Sequence, residues 1–259
     1  MKSAPAFKDH FSGQAGDYEK HRPCYPRELF AWLAANSPGR DLAVDVATGN
    51  GQAAIALAEF FDRVIAIDAS AAQLKAAQAN PRVRYVCEAA ERISLPDASA
   101  DLIVAAQAAH WFDWPAFAVE ARRVLRPGGL LAIWSYGNFV TQAEIERLVE
   151  DFSRDIVGPY WPRERRHVEE GYRNLRLPFP ECAVPRFEMQ TDWDIESALG
   201  YISTWSAVQR YRKRIGRDPL PIWARVRSPM NRRWRSVDDC SAPGSPTVRN
   251  LATWKRTLD

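Results

Sequence analysis

The stretch Leu42-Ala-Val-Asp-Val-Ala-Thr-Gly-Asn-Gly51 decides how this chain folds. A valine-rich apolar run passes into a loop holding Gly49 and Gly51, and the alanine-rich segment Ala53 to Phe60 follows. That order reads as strand, turn and helix. Glycine lets the backbone approach a ligand closely, and a helix start offers unpaired N–H groups that suit a nucleotide-like ligand. A second apolar run, Arg63-Val-Ile-Ala-Ile67, ends in Asp68, 19 residues after Gly49. An acid at that distance can accept hydrogen bonds from both hydroxyls of a ribose.

The same alternation continues along the chain. Pro26 to Ala35 reads as an amphipathic helix with Leu29, Phe30 and Leu33 on one side. Strands are expected near 42–47, 63–67, 83–87, 101–105 and 129–135, and helices near 51–60, 70–79, 114–125 and 141–154. Four of the strands are continuous apolar runs, the pattern of a sheet covered on both faces. Crossover helices then give an α/β fold with a doubly wound, Rossmann-like, mostly parallel sheet and a ligand crevice at the strands' carboxyl ends. Gly49, Asp68 and Gln107, at the ends of the first, second and fourth strands, converge on that crevice.

Two nucleoside cofactors compete for this geometry. Gly49-Asn-Gly51-Gln-Ala-Ala54 satisfies the dinucleotide pattern G-x-G-x-x-A, with Asp68 in the place of an NAD-binding acid. Asp45 argues the other way. A carboxylate inside an apolar strand costs several kcal/mol unless it is paired or hydrogen-bonded. It either braces the loop amides or sits near the ammonium of an amino-acid-bearing cofactor. S-adenosylmethionine carries such an ammonium and NAD does not.

Composition narrows the classes. A chain of 259 residues with 46% hydrophobic and 26% charged residues suits one large soluble α/β domain with an appendage. No apolar run approaches the roughly 20 residues of a membrane helix, and the first ten residues lack the apolar stretch of a secretory signal. Cys24, Cys87, Cys182 and Cys240 are far apart, with no C-x-x-C or cysteine–histidine cluster. They read as reduced thiols of a cytoplasmic protein, with no metal site.

The later chain differs in character. Pro159, Pro162, Pro178, Pro180 and Pro185 break the segment 155–225 into short pieces. Val184 to Gln190 is a candidate sixth strand. From Asp194 to Ile215, Ile195, Leu199, Ile202, Trp205 and Val208 recur every three or four residues, as in an amphipathic helix. Residues 210–235 hold ten Arg or Lys and one acid, Asp218, a local charge of +9 against a total of +3. This is a solvated face, an attractor for an anionic small molecule, or less favourably a nucleic-acid contact without a recognition helix. Residues 226–259 show no sustained alternation and read as an irregular basic tail.

The chain resembles the class I S-adenosylmethionine-dependent methyltransferases. The residues that carry the resemblance are Val44-Asp-Val-Ala-Thr-Gly-Asn-Gly51, Val64-Ile-Ala-Ile-Asp68, Asp101-Leu-Ile-Val104 with His110-Trp-Phe112, and Val124-Leu-Arg-Pro-Gly-Gly-Leu130. Tyr18, Arg22-Pro23 and Tyr25-Pro26, with Tyr201-Ile-Ser-Thr-Trp205 through Tyr211, look like the subgroup of trans-aconitate methyltransferase-like proteins. That subgroup closes its sheet with a late strand carrying a tryptophan–proline pair, which the tail here lacks. The resemblance divides the chain into an arm and helix over the cofactor (1–40), a cofactor-binding core (41–154), a helical and aromatic cap with a late strand (155–225) and the tail (226–259).

By the same resemblance, Asp45, Ala47, Gly49, Asn50 and Gly51 surround the methionine portion of S-adenosylmethionine. Asp68 takes the ribose hydroxyls and Ala69 lies beside the adenine. Relatives often carry an aspartate before the Ala90-Glu91 pair for the adenine amino group. This chain has Ala89 there, so Glu88 or backbone atoms must substitute. Gln107 faces the cofactor, Tyr18 and Arg22 fold over the site with Arg22 reaching the cofactor carboxylate, and Trp111, Tyr136 and Trp205 line the acceptor pocket. A small carboxylate acceptor needs a cationic clamp and no base, whereas a hydroxyl or amine needs a base. His110 is the best placed of the four histidines for that task, unless it merely braces the loop. An NAD(P)-dependent oxidoreductase and a non-catalytic S-adenosylmethionine-binding protein are the alternative readings.

Overall fold

A computed structural model describes residues 22–137, 143–173, 175, 178–189 and 193–223. Tyr18 and the 226–259 tail lie outside the described residues. The elements run in the order α1 (Arg27–Ala35), β1 (Leu42–Val46), α2 (Gln52–Leu57), β2 (Arg63–Asp68), α3 (Ala71–Lys75), β3 (Val83–Cys87), β4 (Ala100–Ala106), α4 (Trp114–Val124) and β5 (Leu125–Trp134). The five strands form a parallel sheet ordered β3-β2-β1-β4-β5. The chain winds outward from β1 to β3 and returns to lay β4 on the other side of β1. The β1/β4 boundary is therefore the switch point where such sheets open a crevice at their carboxyl ends.

Side-chain alternation along the strands builds two cores. Val44, Val46, Ile67, Ile103, Leu131 and Ile133 pack against Phe117, Ala121 and Val124 of α4. The opposite face, with Ala43, Ala66, Leu102, Val104 and Ala132, meets Leu29, Phe30 and Leu33 of α1 and Ala54 and Leu57 of α2. Alanines on that face let the helices sit close to the sheet. Each fully buried Leu, Ile or Phe contributes about 1.5–3 kcal/mol.

The turn Leu125-Arg-Pro-Gly-Gly-Leu130 has a steric reason. Leu125 pairs with Ala100, the register breaks, and pairing resumes with Leu130 opposite Leu102. Inside that excursion, a β-carbon on Gly129 would lie 2.7 Å from the Arg126 carbonyl oxygen. No other residue fits without moving the strand.

The remaining chain forms α5 (Ala143–Asp151), a π-turn (Phe152–Ile156), α6 (Arg165–Glu169), α7 (Ile195–Ser203) and α8 (Ser206–Ile215). Tyr136, Phe152, Val157, Met189, Ile202, Trp205 and Val208 gather there into a third apolar cluster, the helical and aromatic cap. Two local expectations are corrected. The periodic segment 194–215 is two helices, because Ser203 Oγ donates to the Gly200 carbonyl at 2.6 Å and Thr204 Oγ1 to that of Tyr201 at 2.7 Å. These hydroxyls compete with the backbone, and Trp205 turns extended to start α8. Residues 184–189 form no ladder among the described residues, and Gln190 lies outside them. Pro185 has no N–H to donate, and Val184 and Phe187 pack against the α1/α2 core as partly buried side chains.

Candidate active site

The first residues beyond β1 and β4, Ala47 and Gln107, both take left-handed φ values, 56° and 57°. Each costs an L-residue about 1–2 kcal/mol, a kind of strain that concentrates at ligand sites. Hydrogen bonds hold both bends. Thr48 N–H donates to the Ile67 carbonyl and Gln107 N–H to the Trp134 carbonyl, each at 2.9 Å. Gln107 Nε2 also donates to the Tyr136 carbonyl at 3.1 Å.

Asp45, next to these bends, is 1% exposed. Thr48 Oγ1 donates to its Oδ2 at 2.5 Å, while Oδ1 is buried and makes no hydrogen bond among the described residues. Burial, with a smaller contribution from the nearby Asp68 charge, pushes its carboxyl up to about 7, against the pull of Thr48 and the Ala54 amide. The loop around it is equally specific. Gly51 caps α2 at φ 90°, and a β-carbon there would collide with the Tyr85 hydroxyl. A buried acceptor without a donor, beside a glycine cradle, is what a cationic amino-acid moiety would complete. The residues present thus fit S-adenosylmethionine better than a dinucleotide.

Asp68 ties the second strand end to the loop. Its Oδ2 accepts from Gly49 N–H and its Oδ1 from Ser70 N–H, both at 2.8 Å. Both acids therefore stand around the glycine turn, with Asn50 on it. At the end of β3, Glu88 N–H donates to the Asp68 carbonyl at 3.1 Å, and Cys87 Sγ faces the Ala69 carbonyl at 3.8 Å. The Glu88 carboxylate accepts from Ser94 N–H at 2.9 Å, so it already holds the following loop. Ala89 and the buried Ala90 continue that wall.

A cavity of about 60 Å³ opens between Gln107 and the cap. Arg22, Gln107, His110, Trp111, Tyr136 and Trp205 all line it, so six residues singled out in the sequence meet at one place. Arg22 donates to the Tyr136 hydroxyl at 2.8 Å and lies over the Tyr136 and Tyr201 rings at 5.7 and 5.2 Å. The neighbouring Pro23 carbonyl accepts from Gln52 Nε2 at 3.0 Å, which joins this arm to the glycine-loop helix.

Sequence reading missed Trp161, Arg165 and Tyr201 as parts of the site. Arg165 lies 4.3 Å from the Trp161 ring and 3.5 Å from the exposed Glu169 carboxylate. Burial lowers its pKa, and the Arg22 charge lowers it further against the opposing pull of Tyr201 and Glu169. No local signal separates Arg165 from Arg163 and Arg166 beside it. Only the Trp-Pro pair before them hints at a packed turn.

His110 sits on a 3-10 turn, Ala109–Trp111, with its ring 4.7 Å from the Trp111 ring. Burial, then the Arg165 and His167 charges, lowers its pKa to about 3. Such an imidazole stays neutral at physiological pH and is a poor proton acceptor.

Comparison with known proteins places this geometry. The family described as a methyltransferase domain matches residues 44–133. A methyltransferase of Dictyostelium discoideum is 35% identical over 219 residues, covering 83% of each chain. A methyltransferase of Mycobacterium tuberculosis is 39% identical over 128 residues, and the match spans 48% of this chain and 51% of that protein. Among solved structures, a type II methyltransferase from Anaeromyxobacter dehalogenans is 41% identical, with a TM-score of 0.78 over 92% of this chain and 98% of that one.

Proposed function

We propose that this chain, which belongs to the class I S-adenosylmethionine-dependent methyltransferases, methylates a small carboxylate seated between Gln107 and the cap. Membership in that family does not favour a dinucleotide oxidoreductase, and it implies use of S-adenosylmethionine. The Arg22-Pro23 and Tyr201–Tyr211 motifs support placement in the trans-aconitate methyltransferase-like subgroup. The free thiols Cys24, Cys87 and Cys182 suit a reducing, cytoplasmic setting.

When bound, S-adenosylmethionine supplies an electrophilic methyl group on a positively charged sulfur. The protein supplies position. Asp45 and the glycine loop orient the amino-acid end, and Asp68 and Ala69 hold the nucleoside end. Gln107 stands between that crevice and the cavity. Trp111, Tyr136, Trp161 and Trp205 exclude water around the acceptor.

The observation that carries the anionic acceptor is the pair of guanidiniums, Arg22 and Arg165, meeting at one small aromatic cavity. Burial, and to a smaller extent the Arg22 charge, lowers the pKa of Arg165. A carboxylate between them would relieve both penalties and accept charge-assisted hydrogen bonds.

Two measurements test this reading. S-adenosylhomocysteine should raise the melting temperature in a concentration-dependent way while NAD(P) leaves it unchanged. An acceptor library read by homocysteine release should then yield turnover with small organic acids. For the acid so found, Arg165→Met should raise KM by about 10–100-fold, the loss of one charge-assisted contact, with cofactor affinity unaltered. Stabilisation by NAD(P) alone, or a KM unmoved in Arg165→Met, would rule it out.

A further inference from the structure

His110 and Tyr172 form a pair that the clamp described above leaves unexplained. The His110 Nδ1 atom lies 2.9 Å from the Tyr172 hydroxyl, and the two rings stack at 25°. Tyr172 is 3% exposed and does not line the cavity. Its placement is built by backbone strain. Gly171 and Tyr172 take successive φ values of 57° and 58°, and Tyr172 N–H donates to the His167 carbonyl at 2.7 Å. This reversal after α6 carries the ring back beneath the β4 turn.

The polar neighbours of the phenol set the direction of its proton. The Ser135 hydroxyl and the His110 backbone N–H both lie against the Tyr172 oxygen and lower its pKa against the larger effect of burial. A backbone N–H can only donate, which leaves the phenol's own O–H to turn toward Nδ1 at 2.9 Å. A neutral imidazole whose Nδ1 accepts must carry its proton on Nε2.

We propose that Tyr172 is a positioning residue that holds His110 as the neutral Nε2–H tautomer, so that His110 donates a hydrogen bond to the acceptor anion and removes no proton. The charged and titratable groups around the imidazole agree. Arg165 and His167 of α6 oppose a positive charge on it, and Arg22, Tyr136 and Tyr201 line the same cavity. Burial raises the pKa of Tyr172, which keeps the phenol protonated and the lock in place.

The inference rests on the methyltransferase reading and sharpens its substrate class. Without a base, the acceptor must arrive ionised. Its oxygen lone pair forms the bond to the methyl carbon, and the carbon–sulfur bond breaks with its electron pair going to sulfur. One negative and one positive charge are neutralised, and no proton moves.

The test is the nitrogen spectrum of the full-length protein labelled with 15N-histidine, whose four histidines are separated by the loss of signals in His110→Asn. For wild type, His110 should show an unprotonated Nδ1 and a protonated Nε2, with no titration between about pH 5 and about pH 8. Tyr172→Phe should mix the tautomers or restore a titration in that window. A wild-type His110 that is protonated on Nδ1, or an imidazolium near neutrality, overturns the proposal whether or not the tyrosine variant folds. Calorimetry with S-adenosylhomocysteine is run on the same sample. Absence of binding there would sink the methyltransferase reading, while the tautomer would be decided independently.

Discussion

Replacing Asp45 with asparagine is expected to abolish cofactor binding and, at about pH 8, to raise the stability of the ligand-free protein. The two effects have one cause. The folded protein holds the Asp45 carboxyl at about 7 against an ordinary value of 3.8, mainly because it is buried. A raised carboxyl pKa means that folding favours the protonated form. Its contribution to stability is therefore fully present below 3.8 and is lost as pH rises through about 7.

Ionising that group above pH 7 costs the ligand-free fold at most about 4 kcal/mol. Asparagine removes this cost while keeping an acceptor for Thr48, so a gain of about 1–3 kcal/mol is expected. The cofactor's ammonium requires the ionised form. Its removal should weaken binding of S-adenosylmethionine or S-adenosylhomocysteine by at least about 100-fold, the worth of a buried charge pair. Wild-type affinity should also fall below about pH 7, where binding must release a proton, detectable as a buffer-dependent heat. Unchanged affinity in Asp45→Asn would show that the carboxylate only braces the loop.

Gly51→Ala should destabilise the fold and weaken the cofactor site together. At φ 90° an alanine is strained whatever the space, and its β-carbon would strike the Tyr85 ring and hydroxyl. Tyr85 is held by a 2.8 Å hydrogen bond to the Gln78 carbonyl, so it cannot swing away without loss. Together these terms amount to about 2–4 kcal/mol, with cofactor affinity down at least about tenfold because the loop amides shift. Denaturant melts and calorimetry measure the two losses. Adding Tyr85→Ala to Gly51→Ala should recover part of the stability by removing the collision, but not the backbone strain. Full recovery would mean that the left-handed conformation at residue 51 costs nothing.

The sheet was legible from residues 42–134 because both of its signals are local. Apolar runs of strand length mark elements buried on both faces, and glycines mark turns whose backbone no other residue can adopt. Gly49, Asp68 and Gln107 could be placed at one crevice for the same reason: parallel strands joined by right-handed crossovers present all their carboxyl ends on one side. The late segment was less legible. Helical periodicity ran unbroken through Thr204, and only its side-chain bond to the Tyr201 carbonyl shows why one helix becomes two.

The chain's own order of residues thus specified a crevice at the strand ends, the two acids beside it and the family, since each depends on neighbours within a few dozen positions. The small aromatic cavity and the contact between His110 and Tyr172 arise only on folding. Arg165 and Tyr172 come from one short stretch far in the chain from Arg22 and His110, and nothing near them distinguishes them from other arginines and tyrosines. Burial, a converging like charge and a hydrogen bond across 62 positions give those side chains their character, and such effects exist only once the cap has closed over the sheet.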